Sequence, residues 1–192
     1  MTFLEKYLSD AAPSGFEATG QQTWLDYLRP YIDDYIVDAY GSVAGIINPS
    51  ASYKVVMEAH ADEIAWFVNY ISEDGFIYVK KLGGSDHQIP PSKRAYIHTS
   101  KGAVRAVFGW PAIHSRGQDE KSPTTKHLFV DTGCVSKDEV VDLGIHVGCP
   151  ITFDDELEVL NDRFLAARAL DNRIGGFMIA QVARRLAENQ QS

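Results

Sequence analysis

Two short groups of side chains have the residue types and the spacing to bind a divalent metal ion. The first is His60-Ala-Asp62, at the end of an apolar segment that is typical of a β-strand. Because side chains alternate along a strand, His60 and Asp62 face the same way. The carboxylate can accept the N–H of one imidazole nitrogen, which leaves the other nitrogen for a metal ion. A lone His-x-Asp also occurs by chance, as a surface group or as a satisfied core histidine, so the spacing leaves both interpretations open.

The second group lies at a predicted strand-to-helix junction and contains Asp171 and Arg173. Asp171 has two interpretations: it caps the helix N-terminus, or it bridges two metal ions about 3.5–4 Å apart. Arg173 falls in the first helical turn, where the helix dipole disfavours a cation. We therefore expect Arg173 to pair with Asp171 or with a neighbouring carboxylate.

The N-terminal segment predicts two helices. Apolar residues at helical spacing begin at Phe3, and Pro13 ends that helix. Ser14 and Glu17 fit a capping box, in which Ser14 caps a second helix that runs to about Leu28. Both residues also have a functional interpretation, but the helical pattern that follows them favours the capping role.

The middle of the chain predicts mostly strands. A hairpin over residues 35–47 precedes Lys54–His60, whose middle is apolar on both faces, as in a buried central strand. Residues 64–153 contain short strands separated by glycine, proline and polar turns. One short helix is predicted among them, at Ser136–Leu143.

The C-terminal segment returns to a mixed pattern. Strands at Glu156–Leu160 and Phe164–Ala169 precede a helix opened by Asp171, whose apolar stripe contains Ile174, Met178, Val182 and Leu186. The order along the chain is therefore α/β, all-β and α/β again. This order predicts a β-domain inserted into a discontinuous α/β domain, which divides the chain into residues 1–63, 64–158 and 159–192.

Composition and charge exclude several classes of protein. The 192 residues are 45% hydrophobic and 23% charged, which is ordinary for a globular protein. With 26 acidic and 18 basic residues the net charge is −8, which argues against a nucleic-acid partner. No apolar run approaches the roughly 20 residues of a membrane span, and the first residues lack the pattern of a signal peptide. We therefore expect a cytoplasmic protein with no membrane partner.

Taken together, four motifs are far more specific than either group of candidate ligands alone. In chain order they are Pro13-Ser-Gly-Phe-Glu17, Glu58-Ala-His-Ala-Asp-Glu-Ile64, Leu82-Gly-Gly-Ser-Asp86 and Ala169-Leu-Asp-Asn-Arg-Ile-Gly175. With these motifs at these intervals, the sequence resembles the N-terminal part of the M42 metalloaminopeptidases, the tetrahedral and glutamyl aminopeptidase group. The resemblance spans nearly all 192 residues.

The resemblance implies an aminopeptidase with two divalent metal ions, zinc or cobalt, with manganese as a third candidate. It implies an α/β metallopeptidase catalytic domain that carries an inserted small β-barrel domain. His60 matches a ligand of one metal ion, Asp62 matches the catalytic carboxylate that orients this ligand, and Asp171 matches the carboxylate that bridges both ions. Peptide substrates and a homo-oligomer, in which dimers build a dodecamer, are also implied.

The sequence departs from the family pattern at its C-terminal end. Family members continue past the helix after Asp171 and there supply a Glu–Glu pair, a further acidic ligand and a histidine, whereas this chain ends at Ser192. We therefore expect an incomplete catalytic domain that lacks the general base and several ligands. Such a chain would have little activity by itself and an exposed apolar sheet edge.

Two alternatives to an aminopeptidase remain open. One is a catalytically inactive, truncated relative that acts as a binding or assembly module. The other is glycan hydrolysis, which needs two carboxylates about 5–9.5 Å apart. Asp86, Asp119 and Glu120 are available for that role, but nothing in the sequence selects a pair.

Overall fold

The computed structural model describes residues 2–117 and 122–189, which form two compact units. Unit 1 comprises the described residues of Met1–Glu63 and Asp155–Ser192, and unit 2 comprises those of Ile64–Asp154. The mixed α/β class and the closed β-barrel expected from the sequence are confirmed. Within the described ranges, no helix combines the length and the apolar character that a membrane crossing requires.

Along the described residues, a segment with helices and strands is followed by a mostly β segment and then by a second segment with strands and a helix. The α-helices are α1 (Phe3–Ser9), α2 (Ala18–Leu28), α3 (Lys137–Asp142) and α4 (Leu170–Glu188). The strands are β1 (Asp34–Val37), β2 (Val43–Ile46), β3 (Ala65–Ile71), β4 (Ile77–Leu82), β5 (Arg94–Thr99), β6 (Gly102–Gly109), β7 (Phe129–Asp131), β8 (Pro150–Phe153), β9 (Glu158–Leu160) and β10 (Phe164–Ala166). Short 3-10 helices occupy Arg29–Tyr31 and Ile113–Ser115.

The core of unit 1 lies between helices α1, α2 and α4. Its buried residues are Tyr7, Trp24, Leu28, Ala180 and Ala183. The indole N–H of Trp24 donates to the carbonyl of Gly176 at 2.8 Å, which holds α2 against α4. Because α4 presents glycine and alanine to this core, part of its apolar stripe is exposed, with Met178 at 61% and Val182 at 38%.

The capping box predicted for Ser14 and Glu17 is wrong. Glu17 precedes α2 without a capping hydrogen bond, and its carboxylate accepts the N–H of Gly15 at 2.7 Å. The chain reverses at this point, since Gly15 has a φ of +89° and the N–H of Phe16 donates to the carbonyl of Pro13 at 2.7 Å. Ser14 therefore lies inside a turn rather than at a helix start, which is why it cannot cap α2.

Unit 1 also contains two antiparallel hairpins, β1–β2 and β9–β10. The first confirms the hairpin predicted over residues 35–47. The buried central strand predicted at Lys54–His60 is wrong, because in the described part of the chain no strand pairs with this segment. A central strand needs a neighbour on each side. Without neighbours, Val55 and Val56 are 74% and 84% exposed.

Unit 2 is a closed barrel with the strand order β3-β4-β7-β6-β5-β8. The first and last of its strands pair antiparallel, with Trp66 opposite Ile151 and Phe67 opposite Pro150. Side chains that point inward from the strands fill the barrel, and among them Trp66, Phe108 and Ile151 are completely buried. Strand β8 was not predicted, since its four residues lie between a turn and an acidic segment.

The short helix α3 of unit 2 confirms the prediction at Ser136–Leu143. The hydroxyl of Ser136 accepts the N–H of Glu139 at 3.3 Å, so it caps the helix as expected. The chain before α3 passes close to Gly75, which has a φ of +84°. A Cβ atom at Gly75 would lie 2.6 Å from the carbonyl oxygen of Cys134, so this position requires glycine.

Candidate functional site

The three residues singled out for metal chemistry lie together in unit 1. Nδ1 of His60 is 2.9 Å from Oδ1 of Asp62, and Nε2 of the same ring is 3.2 Å from Oδ1 of Asp171. Each imidazole nitrogen therefore faces one carboxylate. His60 and Asp171 are 111 residues apart in the chain, so spacing alone could not have joined them.

The site is open to solvent. The side chain of His60 is 54% exposed and that of Asp171 is 97% exposed. Desolvation acts to lower the pKa of His60, but hydrogen bonds to Asp171 and Asp62 outweigh it and raise the pKa above 6.5. Exposed ion pairs contribute little to stability. A contribution to stability therefore does not explain why His60 lies between two carboxylates.

The backbone around Asp171 directs its carboxylate at His60 rather than at the helix. Ala169, which precedes α4, has a φ of 59°, and both Asp171 and Asn172 have dihedral angles outside the helical region. The side-chain oxygen of Asn172 accepts the N–H of Gly175 at 3.2 Å. Asn172 thus makes the hydrogen bond that the capping interpretation assigned to Asp171.

Arg173 makes hydrogen bonds to the backbone next to His60 and Asp62. Its guanidinium is completely buried and donates to the carbonyls of Tyr7, of Asp10 at 2.6 Å and of Ala61 at 3.2 Å. The expected pairing with Asp171 or a neighbouring carboxylate is therefore replaced by hydrogen bonds to carbonyl groups. Since Ala61 separates His60 from Asp62, Arg173 fixes the backbone between the two.

The electrostatic setting of Arg173 is that of a buried cation. Burial lowers the pKa of Arg173, and the opposing attraction of the Glu63 carboxylate, which raises it, does not compensate. A guanidinium nevertheless stays charged in proteins. Its second Nη atom is buried and has no hydrogen-bond partner among the described residues.

A second buried charge pair lies beside the site, and the sequence analysis missed it. The carboxylate of Glu63 is buried and accepts hydrogen bonds from the N–H of Ala12 at 2.9 Å and from Arg168. Arg168 in turn donates to the carbonyl of Ser9 at 2.5 Å. No periodicity marks these residues in the sequence. The only signal is that a charged residue beside buried positions requires a partner.

The donor atoms of His60 and Asp171 fit a shared divalent cation. Two ligand atoms that each lie 2.0–2.2 Å from a tetrahedral ion are separated by about 3.4 Å. The observed separation between Nε2 and Oδ1 is 3.2 Å. Over the ranges that the structure describes, no group of three or more His, Cys, Asp or Glu side chains is arranged to hold a metal ion. Within these ranges two donor atoms are thus close enough to share a cation, and no third such side chain joins them.

Of the carboxylates considered for glycan hydrolysis, the described part of the chain contains Asp86 alone. Asp86 is exposed, and its carboxylate accepts the N–H of Gln88 at 2.9 Å. Asp119 and Glu120 lie outside the described residues.

Comparison with known proteins decides the family. The family model described as M42 glutamyl aminopeptidase matches residues 41–192. The chain belongs to this family. The lysyl aminopeptidase of Pyrococcus furiosus is 28% identical to this M42 chain, over 97% of the chain and 55% of the relative.

Two solved structures share the fold of this M42 chain. A TET aminopeptidase from a marine sediment Thaumarchaeota archaeon is 29% identical, with a TM-score of 0.95 over 99% of this chain and 54% of that one. The Pyrococcus horikoshii TET1 peptidase, which can assemble into a tetrahedron or a large octahedral shell, is 24% identical, with a TM-score of 0.81 over 98% and 57%. The chain therefore spans about half the length of these relatives.

Proposed function

We propose that this chain is the N-terminal portion of a metal-dependent aminopeptidase, which hydrolyses the N-terminal residue from peptides. The observation that carries the proposal is the geometry at His60, whose Nε2 is 3.2 Å from the Asp171 carboxylate while Asp62 faces the opposite ring nitrogen. Membership of the M42 family supports the peptidase chemistry.

In this proposal each of the three side chains has a separate task. His60 Nε2 and the Asp171 carboxylate hold divalent ions, with zinc, cobalt and manganese all suited to such ligands. Asp62 accepts the N–H of His60 Nδ1 and so keeps the other nitrogen unprotonated and correctly directed. The Asp171 carboxylate would also serve as a ligand of the second ion. Divalent ions in such centres act as Lewis acids toward the peptide carbonyl and lower the pKa of water.

The proposal extends to domain roles and to assembly. Residues 1–63 and 159–192 would contribute to the catalytic α/β domain, and residues 64–158 would form the inserted barrel domain. The general base and the remaining ligands would come from a further part of a longer protein. A homo-oligomer is proposed by analogy with the TET1 relative, and a cytoplasmic location remains a prediction from the sequence.

The test uses the native protein that contains this chain, loaded with zinc or cobalt, and aminoacyl anilides as substrates. We expect His60→Ala and Asp171→Ala each to lower kcat/KM by more than about 100-fold, since even partners outside the coordination shell affect metal sites by 10–100-fold. His114→Ala is the control, because His114 is an exposed histidine of unit 2. Unchanged activity in both ligand variants would refute the proposal.

Two further measurements separate the proposal from its alternative. The intact mass of the native protein shows whether it is longer than the 192 residues of this chain. Metal binding without turnover in the native protein would favour the inactive binding or assembly module.

Light scattering after size-exclusion chromatography tests the proposed homo-oligomer, because it measures the oligomeric state directly.

A further inference from the structure

Both carboxylate oxygens of Asp62 have hydrogen-bond partners. Oδ1 faces Nδ1 of His60 at 2.9 Å, and Oδ2 accepts a hydrogen bond from the hydroxyl of Ser14. Ser14 is 48 residues away in the chain and belongs to the turn that precedes α2. A serine hydroxyl thus lies directly behind the carboxylate that faces the imidazole.

The turn that carries Ser14 is firmly attached to the segment that carries Asp62. Pro13 and Glu63 form a parallel β-bridge. The N–H of Glu63 donates to the carbonyl of Ala12 at 2.9 Å, and the N–H of Ala12 donates back to the Glu63 carboxylate at the same distance. These contacts place Ser14 beside Asp62 through the backbone. The position of the Ser14 hydroxyl beside the Asp62 carboxylate is therefore set by the backbone.

Among the described residues, the hydroxyl of Ser14 makes no hydrogen bond other than that to Asp62. It does not cap α2; the residue at the cap position is Glu17, which makes no capping hydrogen bond. The turn itself is closed by backbone atoms of Pro13 and Phe16, with Gly15 in the left-handed region. Substitution of Ser14 by alanine would leave these backbone contacts in place.

A carboxylate that is hydrogen-bonded at one oxygen only can rotate about its Cβ–Cγ bond. A second hydrogen bond at the other oxygen fixes the plane of the group, and with it the direction in which Oδ1 accepts the imidazole proton. The tautomer and orientation of a metal-binding histidine depend on that hydrogen bond. Outer partners of this kind alter metal affinity by about 10–100-fold.

We propose that Ser14 is a positioning residue for the metal centre: its hydroxyl fixes the Asp62 carboxylate, which keeps the proton of His60 on Nδ1 and leaves Nε2 for the cation. This inference rests on the proposed function. Ser14 contacts neither the cation nor the peptide, and it acts through Asp62.

The first test measures the tautomer of His60 in the metal-free chain. ¹⁵N NMR of the imidazole, at a pH where the ring is neutral, distinguishes a proton on Nδ1 from one on Nε2. We expect Ser14→Ala to reduce the share of the Nδ1–H form and Ser14→Thr, which keeps the hydroxyl, to preserve it. Ser9→Ala is the matched control, since the Ser9 hydroxyl donates to the carbonyl of Lys6 at 2.9 Å.

The second test measures the affinity for Co²⁺ alone by calorimetry on the native protein. We expect Ser14→Ala to weaken binding about tenfold and Ser14→Thr and Ser9→Ala to stay within about twofold of the wild type. An unchanged tautomer and affinity in Ser14→Ala, or an equal loss in Ser9→Ala, would overturn the inference. Asp171→Asn distinguishes a failure of the proposed function from a failure of the role of Ser14. If Asp171→Asn also binds Co²⁺ with unchanged affinity, the proposed metal site itself is refuted.

Discussion

The replacement Arg173→Met tests whether the buried guanidinium holds unit 1 together. The variant keeps an unbranched side chain but removes hydrogen bonds to the carbonyls of Tyr7, Asp10 and Ala61. Hydrogen bonds from a charged donor contribute about 1.5–3 kcal/mol each, so the gross loss is about 4.5–9 kcal/mol. Removing the cost of a buried charge returns several kcal/mol. We therefore expect the free energy of unfolding of unit 1 to fall by about 3 kcal/mol.

The assay must report on each unit separately, because unit 2 is expected to keep its stability. The chain has three tryptophans, of which Trp24 lies in the core of unit 1 and Trp66 in the barrel. Incorporation of 5-fluorotryptophan gives each its own ¹⁹F NMR signal. In a urea titration the midpoint of the Trp24 signal should fall in Arg173→Met while that of Trp66 stays constant.

The matched control is Arg185→Met, the same substitution on the same helix. Arg185 is an exposed residue in the last turn of α4, and exposed charges contribute little to stability. We expect the Trp24 midpoint of this control to remain close to that of the wild type. A loss below about 1 kcal/mol in Arg173→Met, or an equal shift in both variants, would refute the reasoning about the buried cation.

Two further predictions concern the barrel and the pH dependence of the site. Gly75→Ala should destabilise unit 2 by at least about 1 kcal/mol, since the new Cβ would meet the Cys134 carbonyl. Gly84→Ala is the control and should have little effect, because there is open space around Gly84. The urea midpoint of the Trp66 ¹⁹F signal measures both variants. In the metal-free chain, ¹H NMR should give His60 a pKa above 6.5 that falls in Asp171→Asn. Because a cation needs the neutral ring, Co²⁺ affinity should decrease as the pH falls through that raised pKa. A midpoint at or below 6.5, or affinity independent of pH, would contradict this.

Local signals in the sequence were sufficient for the elements whose stability is itself local. The helix at Ser136–Leu143 carries its own capping residue, and the hairpin at residues 35–47 carries its own turn. Both were predicted and both are present. The strands of the barrel other than β8 were found in the same way, from short apolar runs between turn residues.

Elements that depend on distant partners could not be predicted. Ser14 satisfies the sequence rule for a helix cap, but its hydroxyl is used by Asp62, 48 residues away. Lys54–His60 has the composition of a central strand, yet a strand exists only where neighbours pair with it.

The site divides in the same manner. The contact of His60 with Asp62 was expected from their spacing of two residues, although the strand assumed for them is not found in the described structure. The approach of Asp171 to the same ring depends on how α4 packs, and before the structure only the family resemblance pointed to it. The partners of Arg173 are carbonyl groups, which no side-chain pattern reveals.

The antiparallel pairing of β3 with β8 determines how the barrel is connected to the rest of the chain. Since Trp66 lies opposite Ile151, the two points at which the chain enters and leaves the barrel are neighbours on adjacent strands, and paired Cα atoms in such ladders are only about 4.5–5.5 Å apart. A turn of a few residues spans that distance, so a chain that lacks residues 64–154 could keep its backbone continuous from Glu63 to Asp155. The barrel is therefore joined to the rest of the chain at two neighbouring points of its own sheet.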